Sequence, residues 1–187
     1  MLRIPQRRFY GQSMQTMMGM LRMAVSQRNG VLDDQGWTGR RVLGYKLPDW
    51  QRDPCWTIEQ SRIFIESVYV GANIGAFMVN SSFDPIGLDQ ILVDGQQRLM
   101  SLESYWADGF SIRGDDGNEW FWSDLTAQER AHMERIPFPW IETQYRDEGV
   151  LIEAYNRHNH SGTPHRPDQK ADGGAGYRSV PPSTISC

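Results

Sequence analysis

Cysteine is nearly missing from this chain: 187 residues contain two, Cys55 and Cys187. Such a pair provides neither zinc-ligand spacing nor a disulfide framework, so a reducing cytoplasm is the expected compartment. Lysine is almost as scarce. Of nineteen basic residues only Lys46 and Lys170 are lysine, and the rest are arginine. Arginine suits bidentate contact with phosphate and stacking on bases, although arginine-rich coding produces the same bias. No apolar run approaches the length of a membrane span, and Met1–Arg8 lacks the apolar centre of a secretory signal, so no membrane insertion is expected. No G-x-x-x-x-G-K-[ST] segment occurs, so any triphosphate chemistry is not of the P-loop kind. The four histidines, His132, His158, His160 and His165, have no partners at zinc-site spacing and read as solvent-exposed side chains.

What is present suffices for a core. Apolar residues at 39% and aromatics at 11% describe one domain of ordinary size with appendages. The net charge of −4 conceals an asymmetry: residues 1–52 carry +6, residues 53–156 carry −12, and residues 157–187 carry +2. The basic amino-terminal third, including Arg40, Arg41 and Lys46, is a candidate phosphate- or DNA-binding face. The acidic body argues against indiscriminate coating of DNA.

Periodicity gives a coarse layout. Met14, Met17, Met18, Leu21 and Val25 form one apolar stripe, which predicts a helix over 12–28 ending at Asn29-Gly30, followed by loop from Asp33 to Gly39. A short strand over 41–45 leads into Leu47–Trp56, where two prolines and two tryptophans mark a rigid loop holding Cys55 as a packing residue. Thr57 and Gln60 form a capping box for a helix to about Tyr69, with Ile58, Ile65, Val68 and Tyr69 on its buried face. A strand over 74–79, a hairpin around Gly114–Asn118, a second capping box at Thr126 and Glu129, an edge strand over 138–145 and a helix over 147–158 follow. From Ser161 the chain is rich in glycine and proline. The alternation without a regular βαβ period predicts a compact α+β domain. The expected divisions are a methionine-rich helix with a basic lead-in over 1–40, a domain over 41–165 and a tail over 166–187.

The stretch organising this layout is Gln90–Leu99. Ile91-Leu92-Val93 reads as a buried strand, Asp94-Gly95 as a turn, and Leu99, Leu102 and Trp106 as one face of a helix opening at Gln96. A helix entered through one glycine leaves free N–H groups that favour an anion. Asp94 at the strand end can hold a metal or a water, and Arg98 can pair with phosphate. The same residues are equally accounted for by a helix cap and a structural ion pair.

Leu47-Pro48-x-Trp50-Gln51-Arg52, a helix with Gln60 and Ser67, Gly71-x-x-Ile74-Gly75 and Asp94-Gly95-Gln96-Gln97-Arg98 occur in an order that resembles the ParB/sulfiredoxin superfamily, in the DGQQR-box branch of bacterial and phage defence domains. Tyr155–Thr163 resembles that branch's second box, roughly R-x-N-x-x-G-T, and the likeness spans 45–165. It implies a small mixed sheet with surrounding helices, and nucleotide hydrolysis coupled to cutting DNA. ATP or another nucleoside triphosphate and Mg²⁺ are the implied cofactors, with DNA as partner. By the same resemblance Asp94 is the essential acid and metal contact, Gly95, Gln96 and Gln97 cradle phosphate, Arg98 and Arg52 neutralise it, and Arg157 and Asn159 reach in from the second box. The short format is also similar to Osa-type fertility-inhibition proteins of plasmids, which implies restriction of conjugative DNA transfer and a coupling protein of a type IV secretion system as partner. Two alternatives stay open: a non-enzymatic module binding a nucleotide or partner, and a phage DNA-modification kinase.

Overall fold

Ile91, Leu92 and Val93 are all buried because their strand, β5 (Ile91–Asp94), lies inside a sheet covered on both faces. The structure is a computed structural model that describes residues 4–83 and 86–160, the side chains of Ile86, Asn159 and His160 excepted. In chain order the remaining elements are β1 (Gln12–Met17), α1 (Met18–Met23), α2 (Val25–Asp34), β2 (Arg41–Val42), β3 (Tyr45–Lys46), α3 (Ile58–Tyr69), β4 (Phe77–Asn80), α4 (Gln96–Trp106), β6 (Ile112–Arg113), β7 (Glu119–Trp120), α5 (Ala127–Glu134), β8 (Pro137–Thr143) and α6 (Glu148–His160). Six strands form one sheet in the order β1-β8-β4-β5-β3-β2, parallel at β8/β4 and β5/β3 and antiparallel elsewhere, while β6 and β7 form a separate hairpin. This is the expected α+β architecture with a mixed sheet.

Alternation along the central strands divides the core. Phe77, Val79 and Leu92 join the larger cluster with Phe64, Ile65 and Val68 of α3 and Leu99, Leu102 and Tyr105 of α4. Met78, Ile91 and Val93 face the other way, onto Leu151 and Ala154 of α6. Both capping boxes form as read, at Thr57/Gln60 and Thr126/Glu129. No helix among the described residues is long and apolar enough to cross a membrane.

Five local expectations are corrected. Residues 12–17 are strand, because pairing with β8 satisfies their main chain across the molecule. The bond from Met18 N to Ile136 O at 3.0 Å closes that ladder where α1 begins, leaving Met14 and Met17 exposed. The helical run then passes Gly30 and ends at Asp34, and Gly36 takes φ +69 beyond it. The expected edge strand is interior. Its prolines, Pro137 and Pro139, occupy the end of β8 where β4 does not yet reach, since that pairing starts at Phe77 and Trp140. Residues 41–46 form a hairpin rather than one strand, with Leu43 and Gly44 both at positive φ, and Ile58 is exposed while Phe64 takes its place in the core.

Asn80 joins the sheet to the segment after β8. Fully buried, it donates from Nδ2 to Leu88 O (2.8 Å) and Tyr145 O (3.0 Å), and its Oδ1 accepts from the Thr143 hydroxyl and Tyr145 N (both 2.8 Å). Asn80→Ala strands several of these groups without water. It is expected to lower unfolding free energy by about 2–4 kcal/mol in a urea titration; a loss below about half a kilocalorie contradicts that role.

Candidate functional site

The site begins with a glycine that no other residue replaces. Gly95, between β5 and α4, has φ +101, and a Cβ there lies 2.6 Å from Phe77 Cβ and 3.2 Å from Phe77 Cα. The main chain of β4 therefore packs directly under the turn. α4 opens with no side chain capping its first N–H groups, so those of Gln96, Gln97 and Arg98 form an uncapped helix start beside Asp94.

Arg98 reaches back across that turn. Its Nη2 donates to Asp94 Oδ2 at 2.9 Å and its Nη1 to Ile74 O at 3.0 Å. Gly75, at φ +69, admits the guanidinium: a Cβ there is 2.9 Å from Nη1. Burial pulls the Arg98 pKa below its ordinary value, and the neighbouring Asp94 carboxylate partly offsets this. The Asp94 and Arg98 side chains are 32% and 17% exposed, so the pair opens to solvent rather than being sealed under apolar groups. Arg98 holds one carboxylate oxygen, Oδ2, and Asp94 has no other side-chain hydrogen bond or ion pair among the described residues.

The opposite wall is the proline-led loop. Gln97 Oε1 accepts from Cys55 N (3.2 Å) and Trp56 N (3.1 Å), Gln51 Nε2 donates to Leu92 O, and the Tyr155 hydroxyl accepts from Arg52 N (3.3 Å). The resulting cleft of about 170 Å³ is lined by Gln51, Arg52, Trp56, Val93, Asp94, Gly95, Gln96, Gln97, Arg98 and Tyr155. The Arg52 side chain is exposed and enters no ion pair among the described residues. Whole drug-sized ligands occupy roughly 300–1,000 Å³. This smaller space is of a size for phosphate groups, and Trp56 on its wall is 36% exposed.

Six of the sequence-selected residues, Asp94, Gly95, Gln96, Gln97, Arg98 and Arg52, thus meet at one cleft. Gln96 contributes its backbone, since its buried side chain turns to Met100 Sδ at 3.8 Å. Arg157 does not line the cleft. It binds Glu153 from Nε (3.0 Å) and Nη2 (2.8 Å) and lies over the Phe9 ring at 5.6 Å. The Asn159 side chain, Gly162 and Thr163 fall outside the described residues.

The expected DNA-contacting trio is redeployed inward. Arg40 braces the proline-led loop through Asp53, Pro48 O and Gln51 O; Arg41 binds Asp33 and Trp37 O; Lys46 is buried with Nζ 5.6 Å from the Trp37 ring centre. Sequence reasoning gave no role to Gln51, Gly75 or Tyr155, though each stands inside a quoted motif, and it read Trp56 only as part of the rigid loop.

Among the described residues no group of three His, Cys, Asp or Glu side chains gathers to cage a cation. A single carboxylate beside a phosphate-sized cleft fits Mg²⁺, which is held by one or two carboxylates and completed by substrate phosphates and water.

By its family match the chain falls among the ParB/sulfiredoxin-like defence domains. Within them the chain belongs to the family described as the GmrSD restriction endonuclease, N-terminal domain, whose model matches residues 33–170. No curated protein and no solved structure matches it at the significance expected of a relative. Membership places the chain with DNA-acting restriction and defence domains.

Proposed function

We propose that the cleft at the end of β5 binds a nucleoside triphosphate with Mg²⁺ and hydrolyses it, and that this turnover serves restriction of incoming mobile DNA, conjugative plasmids among it. The observation that carries the reading is the half-buried Asp94–Arg98 pair, open to solvent on an uncapped helix start and faced across the cleft by Arg52. Phosphoryl transfer demands chiefly positioning and charge neutralisation, and these residues supply both. Arg98 fixes the Asp94 carboxylate, which would hold the metal or orient the attacking water. The N–H groups of Gln96 and Gln97 donate to phosphate oxygens, and Arg52 offsets their charge. Bound Mg²⁺ adds neutralisation of phosphate charge.

Phosphate release from Mg²⁺–ATP by the purified chain, with and without single- and double-stranded DNA, tests the reading. Wild type is expected to turn over. Arg52→Gln is expected to raise KM about tenfold with kcat little changed, the loss of one charge-assisted contact made equally in ground and transition states. The second reading, a binding module without chemistry, draws on Arg98 being committed to Asp94 and Ile74; a thermal shift with ATP and no phosphate release selects it.

A further inference from the structure

Some exposed arginines gather where the sequence did not place them. Arg8, on the strap entering β1, meets Arg157 on α6 at a single acid, Glu153, and Arg7 stands next to Arg8 on the strap, its Nε donating to Phe9 O (3.3 Å). Arg8 Nη1 lies 3.6 Å from Glu153 Oε2, and Arg157 holds Oε1. The arginine side chains of these two pairs are 64% and 63% exposed. The strap is pinned rather than loose: the Tyr145 hydroxyl accepts from Tyr10 N (2.7 Å) and donates to Tyr10 O (2.9 Å), and Phe9 packs edge-on against the Tyr145 ring. Arg7 lies over the ring of Tyr10 at 4.9 Å, and Tyr10 is 58% exposed. Three arginines against one glutamate leave an excess of two positive charges on a fixed, aromatic-backed surface.

That surface and the cleft share α6. Glu153 and Arg157, one turn apart, lie on one face of the helix, and Tyr155 between them lies on another, where it lines the cleft and accepts from Arg52 N. By contrast, Arg22 is paired with Glu134, Arg28 donates to Leu43 O and Leu21 O, and Arg40 and Arg41 brace loops. The positive charge of residues 1–52 is thus divided among these partnered arginines, Arg52 at the cleft and the strap's Arg7 and Arg8. The strap also lies outside the residues 33–170 that match the family.

We propose that Arg7, Arg8 and Arg157 form a DNA-binding face, gripping the phosphodiester backbone and leading it toward the cleft beside Arg52 and Tyr155. The proposal rests on the DNA-directed part of the function above, not on triphosphate turnover. Contacts to phosphate release counterions, so each arginine lost is expected to flatten the salt dependence of binding by about 0.9 in the log–log slope on duplex DNA and about 0.7 on single strands.

The test is fluorescence anisotropy of the full chain with a short labelled DNA, duplex in one arm and single-stranded in the other, across a salt series. The triple variant Arg7→Gln, Arg8→Gln, Arg157→Gln is expected to bind at least about tenfold more weakly with a flatter slope. Arg113→Gln with Arg135→Gln, exposed arginines elsewhere, is expected to bind as wild type. Glu153→Gln removes the one opposing charge and is expected to bind severalfold more tightly, a gain that misfolding does not imitate. Equal affinity and slope in wild type and triple variant, or no gain in Glu153→Gln, overturns this face while the DNA-directed reading stands. Wild type binding neither DNA form overturns that reading and the face with it.

Discussion

Asp94→Asn is expected to reduce ATP turnover by at least about a hundredfold, the scale set by losing one preorganised electrostatic contact in phosphoryl transfer, while the protein stays folded. The amide retains an oxygen for Arg98 Nη2, so the 2.9 Å contact that spans the turn survives in neutral form. What it loses is the negative charge, and with it the hold on a divalent cation and on the attacking water. Asp94→Ala is the harsher change. It leaves a largely buried guanidinium facing an empty site, and is expected to cost about 1–3 kcal/mol of stability, a range kept below that of sealed pairs because both side chains retain contact with solvent. Phosphate release and a urea titration of both variants separate chemistry from folding. Turnover within a few-fold of wild type in a folded Asp94→Asn protein would remove Asp94 from the chemistry.

Gly95→Ala is expected to destabilise the fold by about 2–5 kcal/mol, combining the cost of holding alanine at φ +101 with that of overpacking against Phe77. The neighbour it meets is main chain and Cβ of a fully buried residue, so it cannot swing aside. Gly117→Ala is the internal control. That glycine also has positive φ, +80, yet nothing lies within 4 Å of its missing Cβ, so about 1 kcal/mol of backbone strain is expected alone. Equal losses at the two positions, measured by chemical denaturation, would show that the close approach of β4 to the turn contributes nothing.

The turn at 94–98 was legible because its signals are local. A strand end, a glycine at positive φ and a helix start follow from adjacent residues, as do both capping boxes. Three local spacings misled or fell silent. Met14, Met17 and Met18 fit a helical stripe, but residues 12–17 instead bond to β8, more than a hundred positions away. Ile58 sits at core spacing on α3 yet points outward, because the face that α4 covers is set by Phe64, Ile65 and Val68. Arg40, Arg41 and Lys46 read as a basic cluster, whereas the fold turns them to internal acceptors or buries them.

By itself the sequence determined the α+β class, the capped helix starts at Thr57 and Thr126 and the acid–glycine–arginine turn, since each depends on propensities and sterics acting within a few residues. Tertiary structure alone decided that Arg98 is bound to Asp94 and Ile74, that Arg52 faces them across a cleft, and that the outward positive charge collects around Glu153. The physical reason is that an ion pair or a cleft depends on distances across the chain. Those distances exist only once strand pairing and core burial have brought remote segments together.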